Sequence, residues 1–158
     1  MKRLLMLTLL LLLAACSPVN QLKTLDHPSP MQDLHASSSG LSLELVENEF
    51  TETPAVVETI ITNDSESDYE HGQYYYIEVN KDGDWYTIVH SDSVFLDNPE
   101  LTDFGLLLEA GADIRQNFAL EGLKVELPPG HYRLVKTFLS QEQPFYEVSL
   151  AVPFDITE

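Results

Sequence analysis

The chain has 158 residues, a single cysteine and a net charge of −18 at pH 7, from 8 Lys+Arg against 26 Asp+Glu. So acidic a balance excludes nucleic acid and anionic membrane surfaces as electrostatic partners. One cysteine excludes an internal disulfide, and a hydrophobic fraction of 44% is that of one ordinary folded domain.

Met1-Lys2-Arg3 is a short cationic start, and Leu4 to Leu13 is apolar except for Thr8. Spanning a bilayer takes about 20 apolar residues, so this run is too short to be a transmembrane helix. It ends in Leu13-Ala14-Ala15-Cys16. Ordinary signal cleavage would want a small residue where Leu13 stands, whereas a lipobox accepts leucine there. Residues 1–15 therefore read as a lipoprotein signal peptide, and Cys16 as the lipidation site. Its thiol would take a diacylglycerol through a thioether, and cleavage would leave it as the new amino terminus. The expected location is a cell membrane, on the extracytoplasmic side. Acyl chains contribute about 0.8 kcal/mol per buried methylene to such an anchor.

Residues 16–40 read as the lipidated cysteine and a flexible tether. They hold Pro18, Pro28 and Pro30, end in Ser37-Ser38-Ser39-Gly40, and show no sustained period. As a coil, the segment would span about 25–30 Å.

From Leu41 the period changes to two. Leu41-Ser42-Leu43-Glu44-Leu45 alternates as a strand with one buried face should. Val56 to Asn63 is the next run and closes on the turn cluster Asn63-Asp64-Ser65. That triplet also matches a glycosylation sequon, but it reads here as a turn. Tyr74 to Asn80 follows, with Tyr75, Ile77 and Val79 inward. Asp82-Gly83 is a hairpin signal, and Trp85 to Val89 is the return strand. Ile114 to Leu120 alternates next, and Tyr132 to Leu139 and Tyr146 to Ile156 close the chain. Pro153 cannot donate to a ladder, so the last strand is an edge or turns its proline to solvent. Lys136 falls on the inward parity of Tyr132, Leu134 and Phe138, which predicts that the strand leaves the core or bulges there. Seven strands and no helix predict an all-β sandwich over 41–158. Leu127-Pro128-Pro129-Gly130-His131-Tyr132 has the layout of a tyrosine corner, with the Tyr132 phenol bonded back to backbone across a Greek-key crossover.

Several stretches together carry a resemblance. They are Ile60-Ile61-Thr62-Asn63-Asp64-Ser65, His71-Gly72, Tyr75-Tyr76-Ile77-Glu78 and Asp82-Gly83-Asp84-Trp85-Tyr86. Two more are Leu108-Glu109-Ala110-Gly111-Ala112-Asp113 and Leu127 to Lys136. From Leu41 to Thr157 the chain resembles a bacterial immunoglobulin-like domain, of the kind found in secreted proteins and lipoproteins, chiefly of Firmicutes. Ala110 stands where that family usually has proline. The resemblance implies a Greek-key immunoglobulin-like sandwich and export. It implies no reaction and no catalytic residue.

The residues themselves point the same way. His27, His35, His71, His90 and His131 show no metal-ligand spacing. There is no nucleophile elbow and no phosphate-binding glycine loop. Two acidic clusters, Asp64, Glu66, Asp68 and Glu70, and Asp92, Asp97, Glu100 and Asp103, lack the order of a calcium loop and read as solvated turns. No cofactor, catalytic residue or metal is expected. The candidate interaction face is Tyr74, Tyr76 and Tyr86, expected to project opposite Tyr75, Ile77 and Trp85. Its competitor is cover by the apolar connection from Ser91 to Leu108. The expected function is a lipid-anchored, non-enzymatic interaction module whose protein partner presents a basic face. The alternative is an accessory subunit of an envelope complex acting through sheet-edge pairing.

Overall fold

The computed structural model describes residues 22–90, 99 and 101–158. The leader 1–15 and Cys16 lie outside these residues, as do Asp92, Asp97 and Glu100. The described chain is nearly all β and forms two sheets. The first sheet holds β1 (Ser37–Ser38), β2 (Leu41–Leu45), β4 (Val57–Asn63) and β9 (Asp113–Phe118), in that order. The second is built on β10 (Gly130–Ser140). Along one side of it runs β11 (Glu147–Ile156), with β3 (Glu49–Phe50) parallel to the end of β11. Along the other side β6 (Tyr76–Lys81) and β5 (Tyr69–His71) lie end to end. They are bordered by β7 (Asp84–Thr87) and β8 (Leu106–Leu108). The chain crosses between the sheets from β2 to β3 and back to β4, from β4 to β5, from β8 to β9, and from β9 to β10 through a 3-10 turn at Leu120–Leu123. This is the expected immunoglobulin-like sandwich.

Alternation explains why the sheets face each other. Leu41 and Leu43 of β2, Val57 and Ile61 of β4, Leu134 and Phe138 of β10, and Leu150 and Phe154 of β11 are buried in one cluster. Each such side chain contributes about 1.5–3 kcal/mol of burial. The seven longest strands are the seven predicted runs, with ends shifted by a few residues. β1, β3, β5 and β8 are two or three residues long, too short for a period to show. The β6–β7 loop is Asp82-Gly83, with φ of +56° and +102°. Glycine reaches the second value without a steric penalty.

Pro153 is explained by the direction of its neighbours. The amides of Ala151 and Asp155 point away from β10, to His35 O at 2.9 Å and Asn48 O at 2.8 Å. The nitrogen of Pro153 falls between them, where no ladder bond to β10 is lost.

The tether expectation fails from Leu22 onward. Val89 N donates to Lys23 O, Leu25 N to Thr87 O and Ser29 N to Trp85 O, all within 2.9 Å. Thr24 forms a β-bridge with Ile88. Gln32 both donates to Trp85 O and accepts from Trp85 N. Residues 22–36 thus run along the outer edge of β7, cross the outer face of the second sheet and meet β11 at His35. They form a strap, held by backbone bonds where the composition suggested a coil.

The Tyr132 hydroxyl donates to Pro128 O at 2.5 Å, and its ring stacks on Phe154 at 5.5 Å. That is the geometry of a tyrosine corner. Tyr132→Phe keeps the stacking and removes the bond, so it should lower stability by about 1 kcal/mol in a urea titration.

Candidate functional site

The outer face of the second sheet carries Tyr76 and Glu78 from β6, Trp85 from β7, Arg133, Val135 and Thr137 from β10, and Ala151 from β11. Cross-strand partners share a face. Val79 pairs with Tyr86 and Asn80 with Trp85. Val79 is core, so Tyr86 packs inward and Trp85 lies outside. This reverses the expected placement of those two residues and removes Tyr86 from the candidate face. Trp is stable there because the outer face is not simply solvent. The Arg133 guanidinium lies 4.5 Å from the Trp85 ring centroid, and the strap bonds to the Trp85 backbone.

Arg133 organises this half of the face. Its Nε donates to Glu78 Oε2 at 2.6 Å, its Nη1 to Gln32 O at 2.9 Å and its Nη2 to Met31 O at 2.6 Å. The two side chains are 3% and 0% exposed. A buried charge of this kind is tolerated only with its partners in place.

The other half is a cleft of about 150 Å³. Val135 and Thr137 line it from β10, with Tyr74, Tyr76 and Phe104 as aromatic lining and Asp103 and Glu147 as its acids. The rings of Tyr74 and Tyr76 are 6.5 Å apart at a 41° tilt. Burial pushes the Tyr76 phenol up to about 12, with a further push from the Glu78 carboxylate. Burial, then Asp103, raises Tyr74 as well. The connection expected to cover this face does so in part. Tyr74 N donates to Thr102 O at 2.9 Å, and Phe104 lines the cleft. Ser91 to Asn98, including Val94, Phe95 and Leu96, lies outside the described residues.

Behind the cleft lies Lys136. β10 neither leaves the core nor bulges there, because its pairing with β11 is continuous from Gly130 to Leu139. The irregularity is in the neighbouring strand instead. Tyr76 pairs with Val135 and Glu70 with Leu139, which leaves five residues of one chain opposite three of the other. Lys136 Nζ fills that break, donating to Gly72 O at 2.7 Å and Tyr74 O at 2.8 Å. Gln116 Nε2 donates to Gly72 O as well. Gly72 is required here, since a Cβ would stand 2.0 Å from Thr102 O. His71, beside the break, is buried. Its pKa is lowered by burial and then by Lys136, and its Nδ1 has no hydrogen-bond partner.

The acidic turn is tied down in a different way. The Asn63 side chain is fully buried and donates to Ser67 O, Leu108 O and Glu109 O, while its Oδ1 accepts from Ser65. Asn63-Asp64-Ser65 is therefore a structural turn. No group of three or more His, Cys, Asp or Glu among the described residues is placed to hold a metal.

A family model described as "Bacterial Ig-like domain" matches residues 37–154, about three quarters of the chain. The chain belongs to the bacterial Ig-like domain family. No curated protein matches it. In this bacterial Ig-like domain the match begins at the first strand, so the strap 22–36 lies ahead of the matched region. The cleft residues and Glu78, Trp85 and Arg133 all lie within the matched region, but Met31 and Gln32, which complete the Arg133 shell, do not.

Burial pulls the Lys136 ammonium from 10.5 down to about 8, against a smaller opposing effect of Asp103. Below pH 8 it is protonated in folded and unfolded chains alike, and the burial penalty is fully present. Between pH 8 and 10.5 the unfolded chain still binds a proton that the folded chain has released, so this group makes stability rise with pH. Measured against Lys136→Met, which cannot titrate, the native chain should gain in urea midpoint across that window.

Proposed function

We propose that the protein is a lipid-anchored, extracytoplasmic, non-enzymatic interaction module, of the Firmicutes envelope-lipoprotein type. Leu13-Ala14-Ala15-Cys16 at the end of an apolar leader supports the anchor. Among the described residues, no helix is long and apolar enough to cross a membrane. Hydrogen bonding to the domain begins, among the described residues, at Lys23. Only Ser17 to Leu22 then separate the lipidated cysteine from the sandwich, a lead of at most about 25 Å. The domain rides close to the headgroups, with the β7 edge on the side of the anchor. The full chain's net charge of −18, which includes Lys2 and Arg3 of the leader, favours a protein partner with a basic face. The sheet-edge alternative has less support, because the outer edge of β11 is already occupied by His35, Asn48 and Phe50 from Ala151 to Thr157.

Fractionation and in-cell crosslinking test this reading together. The native chain should be in the membrane fraction and Cys16→Ser should not. The crosslinked partner should carry a basic surface, and its affinity should fall about tenfold or more between low and high salt. A chain that stays in the soluble fraction, or binding indifferent to salt, would contradict it.

A further inference from the structure

We propose that the outer-face cleft is a receptor for a single basic side chain, the lysine or arginine of a partner protein. This rests on the interaction-module reading and gives it a place on the molecule.

The cleft has the two features that such a cation needs. Tyr76 and Phe104 line it with aromatic rings, against which an alkyl stem and a cationic head both pack favourably. Asp103 and Glu147 are the two acidic residues that line the same cleft. Neither carboxylate has an ion-pair partner among the described residues. Nor is there a cation among the described lining residues.

The cations nearest to it in sequence are already committed. Lys136 lies behind the cleft with its ammonium turned to Gly72 O and Tyr74 O. Arg133 is two residues along β10 from Val135, with its guanidinium taken by Glu78, Met31 and Gln32. Lys136 feels the Asp103 carboxylate from behind, but neither cation can form an ion pair with Asp103 or Glu147 without abandoning buried bonds. The Asp103 field reaches into the site, as its upward push on the Tyr74 phenol records. An anion would meet two acidic residues, with the nearest of these cations, Lys136, turned away to Gly72 O and Tyr74 O. A purely apolar ligand would desolvate both acids without compensation. A basic side chain satisfies rings and carboxylates at once.

The test uses Nα-acetyl-lysine methylamide and Nα-acetyl-arginine methylamide as probes, with the norleucine analogue as the neutral isostere of lysine. Ring-proton shifts of Tyr74, Tyr76 and Phe104 report binding to the folded mature chain. One or both cationic probes should give saturable shifts and norleucine none. Asp103→Asn with Glu147→Gln should weaken binding about tenfold or more, whereas Asp64→Asn with Glu66→Gln should not. Three results would each overturn the proposal: norleucine binding as well as lysine, equal losses from both acid pairs, or no saturable shift. N-acetylglucosamine moving the same rings in place of the cations would make the cleft a glycan site and also overturn it. A salt-sensitive partner captured from cells would survive any of these, leaving the module intact and its contact face elsewhere.

Discussion

Arg133 lies on the outer face of a β-sheet, where a charged side chain would normally reach water, yet it is 3% exposed. Its guanidinium joins three parts of the chain that are far apart in sequence. Glu78 comes from the neighbouring strand, Met31 and Gln32 from the strap, and Trp85 supplies a ring at 4.5 Å. The strap excludes water from the pair, and the pair gives the strap carbonyls a charged donor. Such charge-assisted bonds are about twice as strong as neutral ones. Neither half of the arrangement is tolerable alone, because an unpaired buried charge is strongly destabilising.

That mutual dependence divides the second sheet into two working halves. Under the strap, the outer face is closed and holds the β7 edge, which would otherwise be open to pairing with another chain. Beyond the strap, the same strands present Val135 and Thr137 in a cleft lined by aromatic and acidic side chains. Lys136 joins the halves from the core side, filling the break between β5 and β6 that positions Tyr74. The recognition surface proposed above is thus what remains of the sheet face once the strap has covered the rest.

Sequence alternation was a good guide wherever one face of a strand is buried and the other solvated. β2, β4 and β11 have that character, and their inward residues were legible. It failed where both faces are covered. Tyr132 to Lys136 are all buried, so parity alone could not say that Arg133 is paired outside and Lys136 satisfied inside. The same cover explains Trp85 and Tyr86, since an outer face roofed by the strap accepts the larger ring. The strap itself was not legible because apolar burial contributes little to it. Leu25 is 54% exposed and Met31 41%, and the segment is held by main-chain bonds that leave no period in the sequence. Tyr74 and Tyr76 were found because they flank an inward Tyr75. Their neighbours Phe104, Asp103 and Glu147 come from other parts of the chain, and no local pattern links them.

Amide hydrogen exchange on the mature chain is the most direct measurement of whether the strap belongs to the folded domain. The amides of Leu25 and Ser29 donate to Thr87 and Trp85 on the β7 edge. They should be protected well beyond the rate of an unstructured peptide, and Arg133→Met should release both while leaving amides of β4 protected. Exchange at the unprotected rate in the native chain would contradict this, and would make residues 22–36 a tether after all.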